Sequence, residues 1–238
     1  MYLAEYTGLG VRIAIIDSGV HADHPHVGGV TGGLGIHEDG TLDDDFLDRL
    51  GHGTAVAAAI REKALDAEIV AIKVFWRSLA TDVATLIRAI DEAAACGSNV
   101  INLSLGTADM QHRDRLQDAV SAAQRLGAIV VAANDEGGTR WLPGSLDGVV
   151  AVRADWSCDR HAYEVTSVDD RLVLTTSPYP RDIPGVSRER NVNGISFAVA
   201  YATGFVARAL ESAPTTDVAT IFKALRTAAE APRSSSLA

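Results

Sequence analysis

The sequence predicts an α/β fold in which a mostly parallel, doubly wound sheet lies between two layers of helices. Short runs of apolar, β-branched residues alternate along the chain with longer segments that carry apolar residues at helical spacing. Parallel strands require crossover connections, and helices on both faces of the sheet supply them. A three-layer α/β architecture is therefore expected.

Each predicted element follows from its local pattern. Apolar runs predict buried strands at residues 11–16, 69–74, 100–105, 128–133 and, more briefly, 149–152. Helical spacing without internal proline predicts helices at about 52–63, 82–96 and 114–126. Two alternating runs around Asp169 and Asp170 predict a small antiparallel hairpin near 162–176, and helical character returns over 193–210.

The length and composition indicate one folded domain. No repeat or linker divides the 238 residues, so a single domain is predicted over 1–238, with a disordered tail from about 232. The formal charge of −10 argues against a nucleic-acid partner, because such binding depends on clustered Lys and Arg. Cys96 and Cys158 lack the spacing of a zinc site and the density of a disulfide scaffold, which predicts free thiols.

The chain is also predicted to have no membrane partner. It contains no apolar run of about 18 residues, the minimum for a spanning helix. Its first ten residues lack the basic and then apolar stretches of a signal peptide. A cytoplasmic location is expected, and the alternative is a secreted protein trimmed at its start.

Two candidate catalytic residues flank the first crossover. Functional groups of doubly wound sheets gather after the strands, and Asp17 directly follows the first predicted strand. His52 lies between Gly51 and Gly53 at a predicted helix start, where the helix dipole favours the neutral imidazole that a general base requires. Taken alone, Asp17 is more often a turn cap, and a lone histidine is more often a structural or solvated residue.

The third candidate is Ser196, which follows Gly194 at the start of the last predicted helix. A serine there is commonly only an N-cap. As a nucleophile, it would gain an oxyanion site from its own backbone N–H and from the positive end of the helix. The chain order Asp, His, Ser is the order found in subtilisin.

With these motifs, the chain resembles the subtilisin-like serine peptidases from about Val11 to about Ala209. The resemblance implies a serine endopeptidase in which Ser196 attacks the scissile carbonyl, His52 accepts and returns its proton, and Asp17 orients the imidazole. It also implies that the strand edge formed by Ser104, Leu105 and Gly106 pairs with an extended peptide. A cytoplasmic enzyme of this type would suit the processing of a precursor.

The sequence departs from the family where the second oxyanion donor is expected. The family supplies an Asn after a strand, but ungapped matching puts Asp135 in that position. A shift of one residue would present Asn134 instead, and this is the assignment that we predict. Ala55 and Ala200 replace the usual His and Pro beside the catalytic motifs, which affects the expected specificity more than the reaction.

Acidic residues predict the charge of the substrate. Glu136 is expected beside the primary pocket, and a run of carboxylates precedes His52, namely Glu38, Asp39, Asp43, Asp44, Asp45 and Asp48. Their field would favour peptides with Lys or Arg near the cut. No cofactor or metal is predicted to be required. Calcium is conceivable at residues 38–45, but their spacing does not match an EF-hand, so a solvated loop is favoured.

Two other functions compete with the peptidase. A catalytically weak domain of the same fold would bind peptides or a partner protein without cleaving them. An unrelated esterase would require a Gly-x-Ser-x-Gly elbow after a strand, and the sequence contains none. The sequence identifies neither a partner subunit nor an oligomeric state.

Overall fold

The computed structural model describes residues 3–182 and 185–230. Its strands are β1 Arg12–Asp17, β2 Gly32–Ile36, β3 Leu42–Asp43, β4 Glu68–Lys73, β5 Val100–Leu103, β6 Ile129–Ala133, β7 Asp135–Glu136, β8 Thr139–Arg140, β9 Val149–Ala154, β10 Tyr163–Val168 and β11 Arg171–Thr176. Its α-helices are α1 His52–Lys63, α2 Val83–Ala95, α3 Arg113–Arg125, α4 Ile195–Ser212 and α5 Val218–Glu230.

Nine strands form the main sheet, in the order β10-β11-β9-β6-β5-β1-β4-β2-β3. Every neighbouring pair from β11 across to β2 is parallel. Within the described part of this sheet, antiparallel pairing occurs only at the two edges, between β2 and β3 and within the β10–β11 hairpin. β7 and β8 form a separate antiparallel pair. The predicted doubly wound, mostly parallel sheet is confirmed, as is the hairpin near 162–176.

The helices form two layers because successive side chains of each central strand point to opposite faces. In β1, Ile13 and Ile15 belong to the core shared with α1, α4 and α5. Ala14 and Ile16 belong to the second core, which α2 and α3 cover. All four side chains are fully buried, so β1 reads as one continuous apolar run in the sequence.

Several elements were not predicted. β2 was missed because its sequence, GGLGI, has glycine at three of five positions and little β propensity. The helix α5 was missed as well, although Tyr163 of β10 donates a hydrogen bond to its Leu225 carbonyl. The short strands β3, β7 and β8 lay in segments interpreted as loops. The predicted disordered tail falls outside the described residues, and the single-domain assignment stays a prediction.

The order of the strands indicates that the site lies at the carboxyl ends of the central strands. From β1, the chain next builds β2 and β4 on one side, and then β5, β6 and β9 on the other. Crevices at such a reversal, beyond the carboxyl ends of the strands, are where doubly wound folds bind ligands. Asp17 ends β1 at this reversal. No helix in the described part of the chain is long and apolar enough to cross a membrane.

Candidate active site

Asp17 and His52 are joined by a hydrogen bond. The carboxylate of Asp17 is fully buried at the end of β1. The Nδ1 atom of His52 lies 2.8 Å from Asp17 Oδ1 and 2.9 Å from Oδ2. When Nδ1 carries the proton and donates it to this carboxylate, Nε2 is left as the basic nitrogen of the ring.

Gly53 allows this approach of α1 to β1. A Cβ atom at position 53 would meet the Gly19 carbonyl oxygen at 2.1 Å, so no side chain fits there. His52 is the first residue of α1 and is half-buried. The sequence motif around the histidine therefore has a steric cause in the contact between helix and strand.

The pKa of His52 is raised by its acidic neighbours. Burial alone would lower the pKa, but the hydrogen bond and charge of Asp17, together with the charge of Asp48, outweigh it and raise the pKa above the ordinary value. The two carboxylates therefore set the direction of the net shift in the His52 pKa. The expected effect of the helix terminus on the ring stays a prediction.

Ser196 lies in the first turn of α4, next to the end of β5. Its hydroxyl donates to the Ser104 carbonyl at 3.4 Å, and the Ser104 hydroxyl donates to the Ser196 carbonyl at 3.3 Å. Asn102 supports this pair by donating to the Ser104 hydroxyl at 3.0 Å. Among the described residues, the Ser196 hydroxyl therefore bonds to Ser104, just after β5, and not to His52.

One cavity of about 230 Å³ unites most of the predicted site. His52 and Ser196 both line it, and the four predicted substrate-binding residues do so as well, namely Ser104, Leu105, Gly106 and Glu136. Asp17 is behind His52, buried and hydrogen-bonded to it. The structure thus brings together a carboxylate, an imidazole and a hydroxyl at the switch point of the sheet.

Sequence reasoning missed the apolar walls of this cavity. Phe75, Leu79, Ala133, Trp141, Ile195 and Val199 complete its lining. Trp141 follows the short strand β8, in a loop whose sequence has no helical or strand period. Its only signal was a large aromatic residue among Gly, Thr and Arg, which is unusual for a solvated loop.

The two candidate oxyanion residues do not line the cavity in the described chain. Asn134 is 8% exposed, and its side-chain amide donates to Asp135 Oδ1 at 2.9 Å. Asp135 also forms an ion pair with Arg153 at 2.9 Å. Both side chains are thus engaged beside β6, so an oxyanion role for Asn134 requires its amide to leave Asp135.

The acidic segment before His52 is held largely by internal partners. Asp43 pairs with His37 at 2.7 Å, and Asp45 pairs with Arg49 at 2.7 Å. Asp39 accepts hydrogen bonds from Thr41 in the same turn. Of the carboxylates predicted to attract basic substrates, only Glu136 lines the cavity.

This segment does not fit a calcium ion. Calcium is bound by six to eight oxygens that converge on one point. Here the carboxylates are directed to separate internal donors, as for Asp39 and Asp43. Within residues 3–182 and 185–230, no three His, Cys, Asp or Glu side chains gather as a metal site would require.

A family model described as the subtilase family matches residues 8–237. The chain belongs to the subtilase family. The chain is 36% identical over 167 residues to a thermophilic serine proteinase of Bacillus sp. (strain AK1). That alignment covers 64% of this chain but only 40% of the Bacillus proteinase, so the chain spans less than half the length of that relative.

Solved structures of subtilases share the fold. A cold-adapted subtilisin-like serine proteinase superposes with a TM-score of 0.71 and 23% identity, over 92% of this chain and 82% of that one. The prenylagaramide maturation protease PagA superposes with a TM-score of 0.63 and 25% identity, over 85% of this chain and 76% of its own. The subtilase α/β architecture is therefore the architecture of this chain.

Proposed function

We propose that the protein is a serine endopeptidase that cleaves peptide bonds through Asp17, His52 and Ser196. The single observation that carries this proposal is the cavity shared by His52 and Ser196, behind which Asp17 holds the imidazole at 2.8 Å. Membership of the subtilase family supports the same chemistry.

In this reaction, Ser196 Oγ forms a bond to the carbonyl carbon of the scissile peptide while its proton passes to His52 Nε2. The C–N bond then breaks, and His52 gives that proton to the departing amine. Water next attacks the acyl-enzyme, with its proton taken by the same nitrogen and returned to Ser196. Asp17 keeps its negative charge throughout and stabilises the imidazolium that forms twice in each cycle.

Reaching the reactive state needs a small change at Ser196. Its hydroxyl donates to Ser104 at a long 3.4 Å, a weak bond that the reaction requires to be exchanged for one to the imidazole. Catalytic hydrogen bonds of ligand-free enzymes are often incomplete and form with substrate. An extended peptide paired along Ser104–Gly106 would displace the interaction between Ser104 and Ser196.

The proposed substrate is a peptide or protein with basic residues near the cut, and this preference rests on Glu136. Glu136 is exposed and lines the cavity, so its carboxylate can meet a Lys or Arg side chain without first leaving an internal partner. The resemblance to a maturation protease supports a role in processing a precursor, for which we propose a cytoplasmic setting.

A peptide library with cleavage sites identified by mass spectrometry tests both the activity and the charge preference. We expect cuts to be enriched beside Lys and Arg, and Glu136→Gln to reduce that enrichment about two- to fivefold, the effect of one solvated ion pair. Glu38→Gln removes the same charge from an exposed position outside the cavity and should leave the enrichment unchanged. Equal cutting of acidic and basic peptides at low salt would contradict the preference.

For the second oxyanion donor we predict Asn134. We expect Asn134→Ala to lower kcat about 10²–10³-fold with little change in KM, the size of effect known for such a donor in subtilisin. Asp135→Ala should be mild. Steady-state kinetics of the two variants decide the assignment. The opposite ranking, with activity that falls as pH rises and recovers in Asp135→Asn, would assign the position to Asp135.

A further inference from the structure

Asp48 is a buried carboxylate with an unusual number of hydrogen bonds. It is 8% exposed and lies four residues before His52, in the segment between β3 and α1. Its Oδ1 accepts from the backbone N–H of Leu50 at 2.9 Å and of Gly51 at 2.8 Å. Its Oδ2 accepts from Thr54, from the backbone N–H at 2.8 Å and from the hydroxyl at 2.6 Å.

A fifth bond connects Asp48 to Ser18, the residue that follows β1. The hydroxyl of Ser18 donates to Asp48 Oδ1 at 2.9 Å, and the same hydroxyl accepts from the backbone N–H of Gly53 at 2.9 Å. The N–H groups on both sides of His52 are therefore fixed, that of Gly51 by Asp48 directly and that of Gly53 through Ser18. Ser18 itself follows Asp17 in the chain.

These bonds satisfy donors that the helix leaves unpaired. The first N–H groups of any α-helix have no partner within it, and a side-chain acceptor supplies one. Gly51, the N-cap of α1, has no side chain to do so. Burial alone would raise the pKa of the Asp48 carboxyl, but the hydrogen bonds from Thr54, Gly51 and Leu50 outweigh it and lower the pKa. The carboxyl is therefore negatively charged at neutral pH.

We propose that Asp48 is a positioning residue for the peptidase reaction, which fixes the backbone around His52 and holds a permanent negative charge near its imidazole. Asp48 does not line the cavity that contains Ser196, so it acts on the substrate only through His52. The expected kinetic effects rest on the proposed peptidase function. The expected effects on the position and the pKa of His52 do not depend on it.

Several other charged or titratable groups lie near these two residues. His52 faces Asp17 from β1 and shares its cavity with Glu136. Asp48 shares a second cavity with His21, His24 and His26 from the segment after β1, and with Arg181 and Asp182 from the segment before α4. Asp17 and Asp48 are the two groups whose charges act on the His52 pKa, and both raise it.

The test replaces Asp48 by Asn, which keeps one acceptor but removes the charge and leaves the Thr54 N–H unpaired. We expect kcat to fall about 10²-fold with KM unchanged, the cost of a small misplacement of a catalytic group. The acidic limb of the kcat/KM profile should move to lower pH, because the imidazole loses a charge that favours its protonated form. Asp44→Asn removes a charge from an exposed position of the same segment and should change neither.

A second pair of variants separates position from charge. Thr54→Val keeps the Asp48 carboxylate but removes a hydroxyl that donates to Asp48 and accepts from the backbone N–H of His21. We therefore expect kcat to fall about tenfold while the acidic limb stays in place. Thr54→Ser restores the hydroxyl and should restore kcat. If Asp48→Asn does not fold, this pair decides the kinetic part, and equal kcat in Thr54→Val and wild type would overturn it.

NMR titration of the His52 ring provides a readout that needs no peptide cleavage. We expect the His52 pKa to be lower in Asp48→Asn than in wild type, and unchanged in Asp44→Asn. A folded Asp48→Asn protein with the wild-type His52 pKa and wild-type kcat would overturn the proposal. An inactive wild-type enzyme whose His52 pKa still falls on removal of Asp48 would instead overturn the proposed function and support the placement of Asp48.

Discussion

Replacing Ser196 by Ala, or His52 by Ala, is expected to abolish peptide cleavage while the protein stays folded. The hydroxyl supplies the attacking oxygen and the imidazole takes its proton, so neither variant can form the acyl-enzyme. The expected loss in kcat is about 10⁶-fold for either, the size known when a member of the subtilisin triad is removed. The measurement is the kcat of each variant on a peptide that the wild type cleaves, beside a thermal unfolding curve.

The matched control for the serine is Ser187→Ala. Ser187 is exposed in the loop before α4 and makes no side-chain cap bond. The Ser187→Ala variant should cleave peptides at the wild-type rate. The double variant of Ser196 and His52 should be no worse than either single one, because the two groups act as a unit. Independent, multiplying losses would contradict a shared mechanism.

Replacing Asp17 by Asn is expected to lower kcat about 10⁴-fold, as the corresponding change does in the chymotrypsin-type triad. An amide can donate to Nδ1 and so favours the tautomer that leaves Nε2 protonated and unable to act as a base. The carboxylate of Asp17 is fully buried and 2.8 Å from Nδ1. Bulk water therefore cannot take over its hydrogen bond to the imidazole. Steady-state kinetics and the crystal or solution structure of the variant check this result.

The pH dependence supplies a second check on Asp17. Because the His52 pKa is raised, kcat/KM of the wild type should fall as pH decreases through a value above the ordinary imidazole pKa of about 6.5. In Asp17→Asn both the hydrogen bond and the charge that raise the pKa are lost. The acidic limb of the remaining activity should therefore move to lower pH. An unchanged limb with near-normal kcat would show that Asp17 does not act on His52.

The sequence predicted the parts of the fold that depend on local pattern. β1 and its neighbours are buried on both faces and therefore appear as unbroken apolar runs. The helix α1 has the bounds predicted for it, because glycine precedes it and small apolar residues fill it. β2 could not be predicted in the same way, since close neighbours leave no room for a side chain at Gly33 and Gly35. A Cβ built at Gly33 would lie 2.5 Å from Ala71 O.

The candidate site was predictable where a motif carries it, and not where distant chain segments meet. Asp17, His52 and Ser196 each lie within two residues of a glycine in a recognisable motif. Trp141 lines the cavity from a loop whose sequence has no helical or strand periodicity. Asp48 was interpreted as one of several solvated acids, yet it is buried and hydrogen-bonded to α1 and to Ser18. A carboxylate shortly before a predicted helix start was the one signal for that role.

The central claim is that Ser196 is an activated nucleophile, and reaction with a fluorophosphonate probe tests it most directly. The probe modifies only a serine whose proton can be taken by a neighbouring base. The proposed mechanism predicts one label per chain, mapped to Ser196 by mass spectrometry, absent in Ser196→Ala and strongly reduced in His52→Ala. Folded wild-type protein that takes up no label, or carries it on another residue, would contradict the peptidase mechanism and favour a domain that binds peptides without cleaving them.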